Sequence, residues 1–170
     1  MFDGQGVKLF RRDFASSYGW WGNIAVVLGR RPPEAEHVAN YRACIVQLHR
    51  EYPQGIGLIT VVNDTSAPSP AGRDAIIAMF KDVWPLMTAT LFVPNATGFK
   101  AAVLRSMMAC AILVTGHRDR VHIESSLDKG LPWFGDKVLE GPDAQQRLMA
   151  LRQGVRRFFE HEDKRDPDAR

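Results

Sequence analysis

The sequence predicts an α/β fold: a mixed, mostly parallel sheet with helices packed on it and one extra helix at the C-terminal end. Three observations predict it. Short β-branched runs alternate with longer stretches of helical periodicity, glycine- and proline-rich breaks separate them, and the series opens on a hairpin signal. Strands joined through helices pair in parallel, and a leading hairpin adds one antiparallel pair. The 170 residues fit one domain, and 45% hydrophobic with 24% charged residues is an ordinary globular balance.

Residues 1–12 are polar and glycine-bearing and are expected to form an N-terminal arm. Residues 14–21, the turn signal Gly22-Asn23 and the apolar run IAVVL at 24–28 predict a tight hairpin. Pro32-Pro33 ends the second strand and opens a helix, with Glu34 and Glu36 complementing its dipole. Val38, Tyr41, Ile45 and Leu48 then form one apolar stripe at spacings of three and four. The break Tyr52-Pro53-Gln54-Gly55 hands over to a buried strand at 56–62.

Ser69-Pro70 starts a second helix, expected to turn Ile76, Ile77, Phe80, Val83 and Trp84 inward and to close at Pro85. Residues 88–93 form the next strand, stopped by Pro94-Asn95. Thr97 caps a third helix over 98–114, with Phe99, Val103, Met107, Cys110 and Val114 on one side. A short strand follows at 121–124 and a brief amphipathic helix at 126–134. After Gly141-Pro142, Asp143 opens a last helix with Leu148, Leu151, Val155 and Phe158 aligned, and residues 161–170 are expected to fray as a charged tail. The predicted order is β-β-α-β-α-β-α-β-α plus one helix, divided as an arm at 1–12, an α/β domain at 13–140, an amphipathic helix at 141–160 and a tail at 161–170.

Charge and cysteine usage exclude several classes. A net charge of +3 is far from that of a dedicated nucleic-acid binder, so no nucleic-acid partner is expected. No run reaches the roughly 18 apolar residues of a membrane span, and the opening MFDGQGVKLFRRDF lacks the apolar stretch of a signal peptide. Cys44 and Cys110 fall within predicted helices as free buried thiols of a reducing compartment. The expectation is a cytoplasmic protein.

The hairpin GWWGNIAVVLGRRPP, the strand YPQGIGLITVV, the helix start APSPAGRDAI, the segment FVPNATGFKAAVLRSMMACAIL and the closing ESSLDKGLPWF together resemble the STAS domains, the anti-sigma-factor-antagonist family. They are most similar to short bacterial STAS-like proteins that share features with lipid-binding CRAL-TRIO domains. The match covers about residues 14–134. The resemblance implies a non-enzymatic regulatory or adaptor module acting by protein–protein contact. It also implies a Ser or Thr, at the helix start after the third strand, whose phosphorylation switches partner binding. Asp64, Thr65, Ser66 and Ser69 match that position as phosphorylation or docking candidates. The family's switch motif, an aspartate before a Ser-Ser-Gly-type run, is only partly present: Asp64-Thr65-Ser66 lacks the glycine, and Pro68 and Pro70 intervene.

The residues of that loop also fit a plain structural role, with Ser69 capping the helix and Asp64 accepting in a turn. It is not a phosphate-binding P-loop, which needs several glycines and a lysine where this loop has Gly72 and no lysine. His122 and Glu124 alternate on one strand face with His117 nearby, a pair without the third ligand a zinc site requires, so no metal and no cofactor is expected. Ser125-Ser126 follow His122 without a nucleophile elbow, and no catalytic residue is assigned.

Trp20 and Trp21 are interface candidates, because neighbours on a strand face opposite sides and one of them is expected outside. Phe158 and Phe159 on the last helix suit a dimer or partner contact, so the expected partners are an unidentified protein and a second copy. The CRAL-TRIO side of the resemblance implies an alternative, a small-molecule or lipid cavity lined by Phe80, Trp84, Phe99 and Met107. A third alternative is an accessory protein of a biosynthetic cluster.

Overall fold

The structure, a computed structural model, describes residues 6–64, 66–95, 116 and 118–165. Among these residues six strands form one mixed sheet: β1 (Lys8–Arg12), β2 (Ser16–Trp21), β3 (Ile24–Gly29), β4 (Ile56–Val62), β5 (Met87–Pro94) and β6 (Val121–Ile123). They lie side by side in chain order. β1–β2 and β2–β3 are antiparallel, and β3–β4, β4–β5 and β5–β6 are parallel. The predicted α/β class with a mixed, mostly parallel sheet therefore holds. The hairpin turn is Gly22-Asn23 between Trp21 and Ile24, which are paired across it, and Gly22 supplies the positive φ of 55°.

Among the described residues, four α-helices pack on this sheet: α1 (Ala35–Glu51), α2 (Pro70–Val83), α3 (Leu127–Val138) and α4 (Ala144–Asp163). Their placement follows from handedness. Crossovers between parallel strands are right-handed, so two successive crossovers advancing in one direction across a sheet lie on one face. α1 and α2 accordingly cover the same face, burying Val38, Tyr41, Cys44, Ile45, Leu48, Met79 and Val83 against Ala25, Val27, Ile56 and Leu58. α3 and α4 come after the last strand and cover the other face. There Leu131, Phe134, Leu151, Val155 and Phe158 bury Val26, Leu28, Ile59 and Leu91. Strand alternation divides the sheet residues between the two cores.

Three expectations are corrected. The arm over 1–12 contains a strand: Lys8–Arg12 pairs antiparallel with β2 as the edge of the sheet, with Phe10 laid against Trp20. Ile77 is not inward but 43% exposed, while Met79 is buried. Gly72, Ile76, Met79 and Val83 share the inner stripe, and Ile77 lies one step of about 100° around from Ile76. The tail does not fray from residue 161, since α4 runs to Asp163 and Glu162 is 1% exposed. The last helix packs on its own domain, its apolar stripe forming part of the core. The predicted third helix over 98–114, with Thr97, Phe99, Val103, Met107, Cys110 and Val114, lies outside the described residues.

Candidate functional site

The parallel strands β3, β4 and β5 all end at one edge of the sheet. Their ends are laced together: the Asn63 amide donates to the Gly29 carbonyl and the Asn95 amide to the Val62 carbonyl, each at 2.8 Å. In open α/β sheets this carboxyl edge is where loops gather and ligands bind. The segment after β4 starts here.

In that segment the Asp64 carboxylate accepts from the Ser66 amide at 2.8 Å, closing a local turn. Ser69 is the N-cap of α2, its hydroxyl accepting from the Gly72 amide at 3.0 Å. The same hydroxyl donates to the carboxylate of Glu34, the N-cap residue of α1. The Glu34 amide in turn donates to His37 Nδ1 at 3.1 Å. The starts of α1 and α2 are thus joined by side chains, and Gly72 makes the junction possible: a Cβ there would stand 2.6 Å from the Pro33 carbonyl oxygen. Pro70 at the first helical position has no amide to satisfy.

This separates the hydroxyls that the sequence grouped together. Ser69 is committed to capping and to Glu34. Ser66 is exposed, with its amide held and its side chain outside the helix. Thr65 lies outside the described residues. Beyond the junction the outer face of α2 exposes Arg73, Asp74, Ile77, Ala78, Lys81 and Asp82.

The interface candidates are placed differently. Trp21 is 5% exposed, in the core beside α4. Trp20, on the other face, is half-buried, with the Phe10 ring 5.0 Å away and Lys8 Nζ 6.0 Å over it, so β1 covers it. Phe158 is buried and Phe159 half-buried against the chain's own sheet. Of the expected cavity residues, Phe80 and Trp84 pack on each other with ring centroids 6.4 Å apart, and Tyr41 lies 6.2 Å from Phe80. Phe99 and Met107 lie outside the described residues.

His122 and Glu124 share a face as expected, with Nε2 and Oε2 3.9 Å apart. The imidazole is stacked on Trp133 at 4.9 Å. The Ser125 amide and hydroxyl donate to Glu124 and hold its carboxyl below the usual range. His117 lies outside the described residues, among which no group of three or more His, Cys, Asp or Glu could hold a metal. Ser126 caps α3, accepting from the Lys129 amide at 3.4 Å. Cys44 is fully buried, and burial pushes its thiol up to about 12; Cys110 is outside the described residues.

Two features were not read from the sequence. One is a buried polar network in which Glu162 of α4 meets Arg12 of β1 and Ser17 of β2. Glu162 lies 145 positions from Ser17 and 150 from Arg12, and only the anomaly of an acidic residue on the apolar stripe of α4 hinted at it. The other is a groove of 370 Å³ between the sheet's carboxyl edge and the helices α3 and α4, with Val61, Val93, Leu127 and Phe159 as its apolar wall.

No helix among the described residues is long and apolar enough to cross a membrane. In comparisons with known proteins, no family model matches the chain, and no curated protein and no solved structure matches it.

Proposed function

We propose that the chain is a non-enzymatic STAS-like regulatory or adaptor module of a bacterial cytoplasm, acting by protein–protein contact and tuned by phosphorylation at Ser66 or Thr65. The observation that supports it most is the state of Ser66: an exposed hydroxyl on a turn pinned by Asp64, just ahead of a helix whose cap is already supplied by Ser69. A phosphoryl group on Ser66 brings about two negative charges. Beside Asp64 that charge opposes the turn, and ahead of α2 it is drawn to the positive end of the helix. One modification therefore changes both the shape and the charge of the loop. Ile77, 43% exposed on the same helix, gives a docking partner an apolar foothold.

The test is affinity capture from cell extract with the wild-type chain and with Ser66→Glu. The expected result is a partner retained by one form and lost by the other; no specific partner with either form overturns the proposal.

The groove supports a second reading, a small-molecule or lipid-binding domain of CRAL-TRIO-like type. Its apolar wall lies at the carboxyl edge of the sheet rather than around Phe80 and Trp84. Native mass spectrometry of protein purified from cells would show a copurifying molecule, and a bare mass removes this reading.

A further inference from the structure

The outer face of α2 has the same character read from either end. A two-fold axis placed between Ile77 and Ala78 relates Pro70 to Pro85, Arg73 to Asp82 and Asp74 to Lys81. All eight of these residues are exposed. Of the inward positions, Gly72 and Val83 are both buried and Ala75 and Phe80 both half-buried, while half-buried Ile76 is related to buried Met79 and exposed Ala71 to buried Trp84. Every exposed pair related by the axis joins a cation to an anion, or apolar to apolar.

We propose that α2 is the seam of a symmetric homodimer in which two copies of the helix cross antiparallel about an axis between Ile77 and Ala78. Rotation about that axis sets Arg73 of each copy against Asp82 of the other, and Asp74 against Lys81. Each contact is made twice, and the apolar pair Ile77–Ala78 sits at the centre. Contacts repeated by a two-fold axis close the assembly at two copies.

An unrelated partner would have to carry the complement of this charge order, whereas a second copy carries it already. Asp82 meets Arg42 of α1 within the chain, Arg42 Nε to Asp82 Oδ2 at 3.3 Å, leaving Oδ1 for a second cation. On the α1 side the exposed residues beside Arg42 are Ala39 and Ala43, small enough to let a second helix approach. The seam moves the dimer contact away from Phe158, which the chain's own core already buries. It rests on the reading of α2 as a docking helix and names that helix's occupant, leaving the loop around Ser66 to a different protein.

Sedimentation velocity between about 10 μM and 1 mM, the range of a small transient interface, tests the seam. The wild-type chain is expected to dimerise. Arg73→Asp and Asp82→Arg each oppose two pairs of like charges and are expected to weaken dimerisation about tenfold or more. Mixing those two variants restores a dimer, because the heterodimer regains opposite charges at both sites. Asp74→Lys mixed with Lys81→Asp repeats the test without touching the Arg42–Asp82 contact, and circular dichroism confirms that each variant is folded. A wild-type chain monomeric throughout, or folded variants that mixing does not restore, overturns the seam. A monomeric chain that still captures a partner through Ser66 overturns the seam alone; a dimer that captures none overturns the docking proposal alone.

Discussion

Arg12 on the first strand grips both carboxylate oxygens of Glu162 near the end of the last helix, Nε to Oε2 at 2.7 Å and Nη2 to Oε1 at 2.6 Å, across 150 positions of chain. The Ser17 hydroxyl donates to the same carboxylate at 2.6 Å and itself accepts from Arg30 Nη1 at 2.7 Å. A carboxylate 1% exposed thus has partners on two neighbouring strands. It ties the edge strand to the helix that covers the second core.

Breaking this contact from one side is expected to cost more than breaking it from both. Arg12→Ala leaves Glu162 buried without its main partner and should destabilise by about 3 kcal/mol, the scale for a buried charge losing its counter-ion. Adding Glu162→Ala should cost less than the sum of the two single changes. Urea unfolding of the three variants checks this.

The same carboxylate sets an acid limit. Burial pushes the Glu162 carboxyl up from 4.5, but hydrogen bonds from Arg12, Ser17 and His161 outweigh it and hold the group at about 2. Its folded value is below its unfolded one, so its stabilisation is complete above about pH 5 and is lost as the pH falls from about 4.5 towards 2. The melting temperature of Glu162→Gln should lie below wild type at pH 7, with the gap closing below pH 4.

The two loop serines should behave oppositely. Ser69→Ala removes the cap of α2 and its bond to Glu34, and should destabilise by about 1 kcal/mol. Ser66→Ala removes an exposed hydroxyl and should leave stability within about 0.5 kcal/mol of wild type. Thermal unfolding separates a structural serine from one available to an enzyme.

Gly72→Ala should be costly although alanine favours helices. The added methyl meets a backbone carbonyl at 2.6 Å, so the starts of α1 and α2 must separate, an overpacking worth about 1–3 kcal/mol. Denaturant unfolding gives the size of the loss, and faster amide exchange in the first turns of both helices locates it.

Cys44 should be inert in the folded chain, because burial leaves its thiol protonated and out of reach. In a Cys110→Ser background, a disulfide reagent should label it only after denaturation. Rapid labelling of folded protein would show that the α1 face opens.

What was legible in the sequence was local. The hairpin turn at Gly22-Asn23, the stripe from Val38 to Leu48 and the break before Ile56 each carry their signal within a few residues, and each element appeared as predicted. Ile77 was misplaced because two adjacent isoleucines both fit a helical stripe, and only the packed sheet decides between them. β1 was missed because KLFRR has a single apolar residue turned towards cover, Phe10, and its strand character depends on β2. The junction of Ser69 with Glu34 joins residues 35 positions apart, beyond any motif. Glu162 was assigned to a tail since acidic residues near a chain end are nearly always solvated, and its partners lie in the opening strands.

The strands in chain order have a consequence for synthesis. Among the described residues, β1 to β6 all precede the two helices that bury Val26, Leu28, Ile59 and Leu91, so during synthesis that face of the sheet waits for those helices. A half-covered sheet is sticky, and the interval ends only when the helix bearing Phe158 and Glu162 arrives and is captured by Arg12. A premature stop between residues 124 and 144 would therefore release a chain that has all six described strands and lacks part or all of that cover.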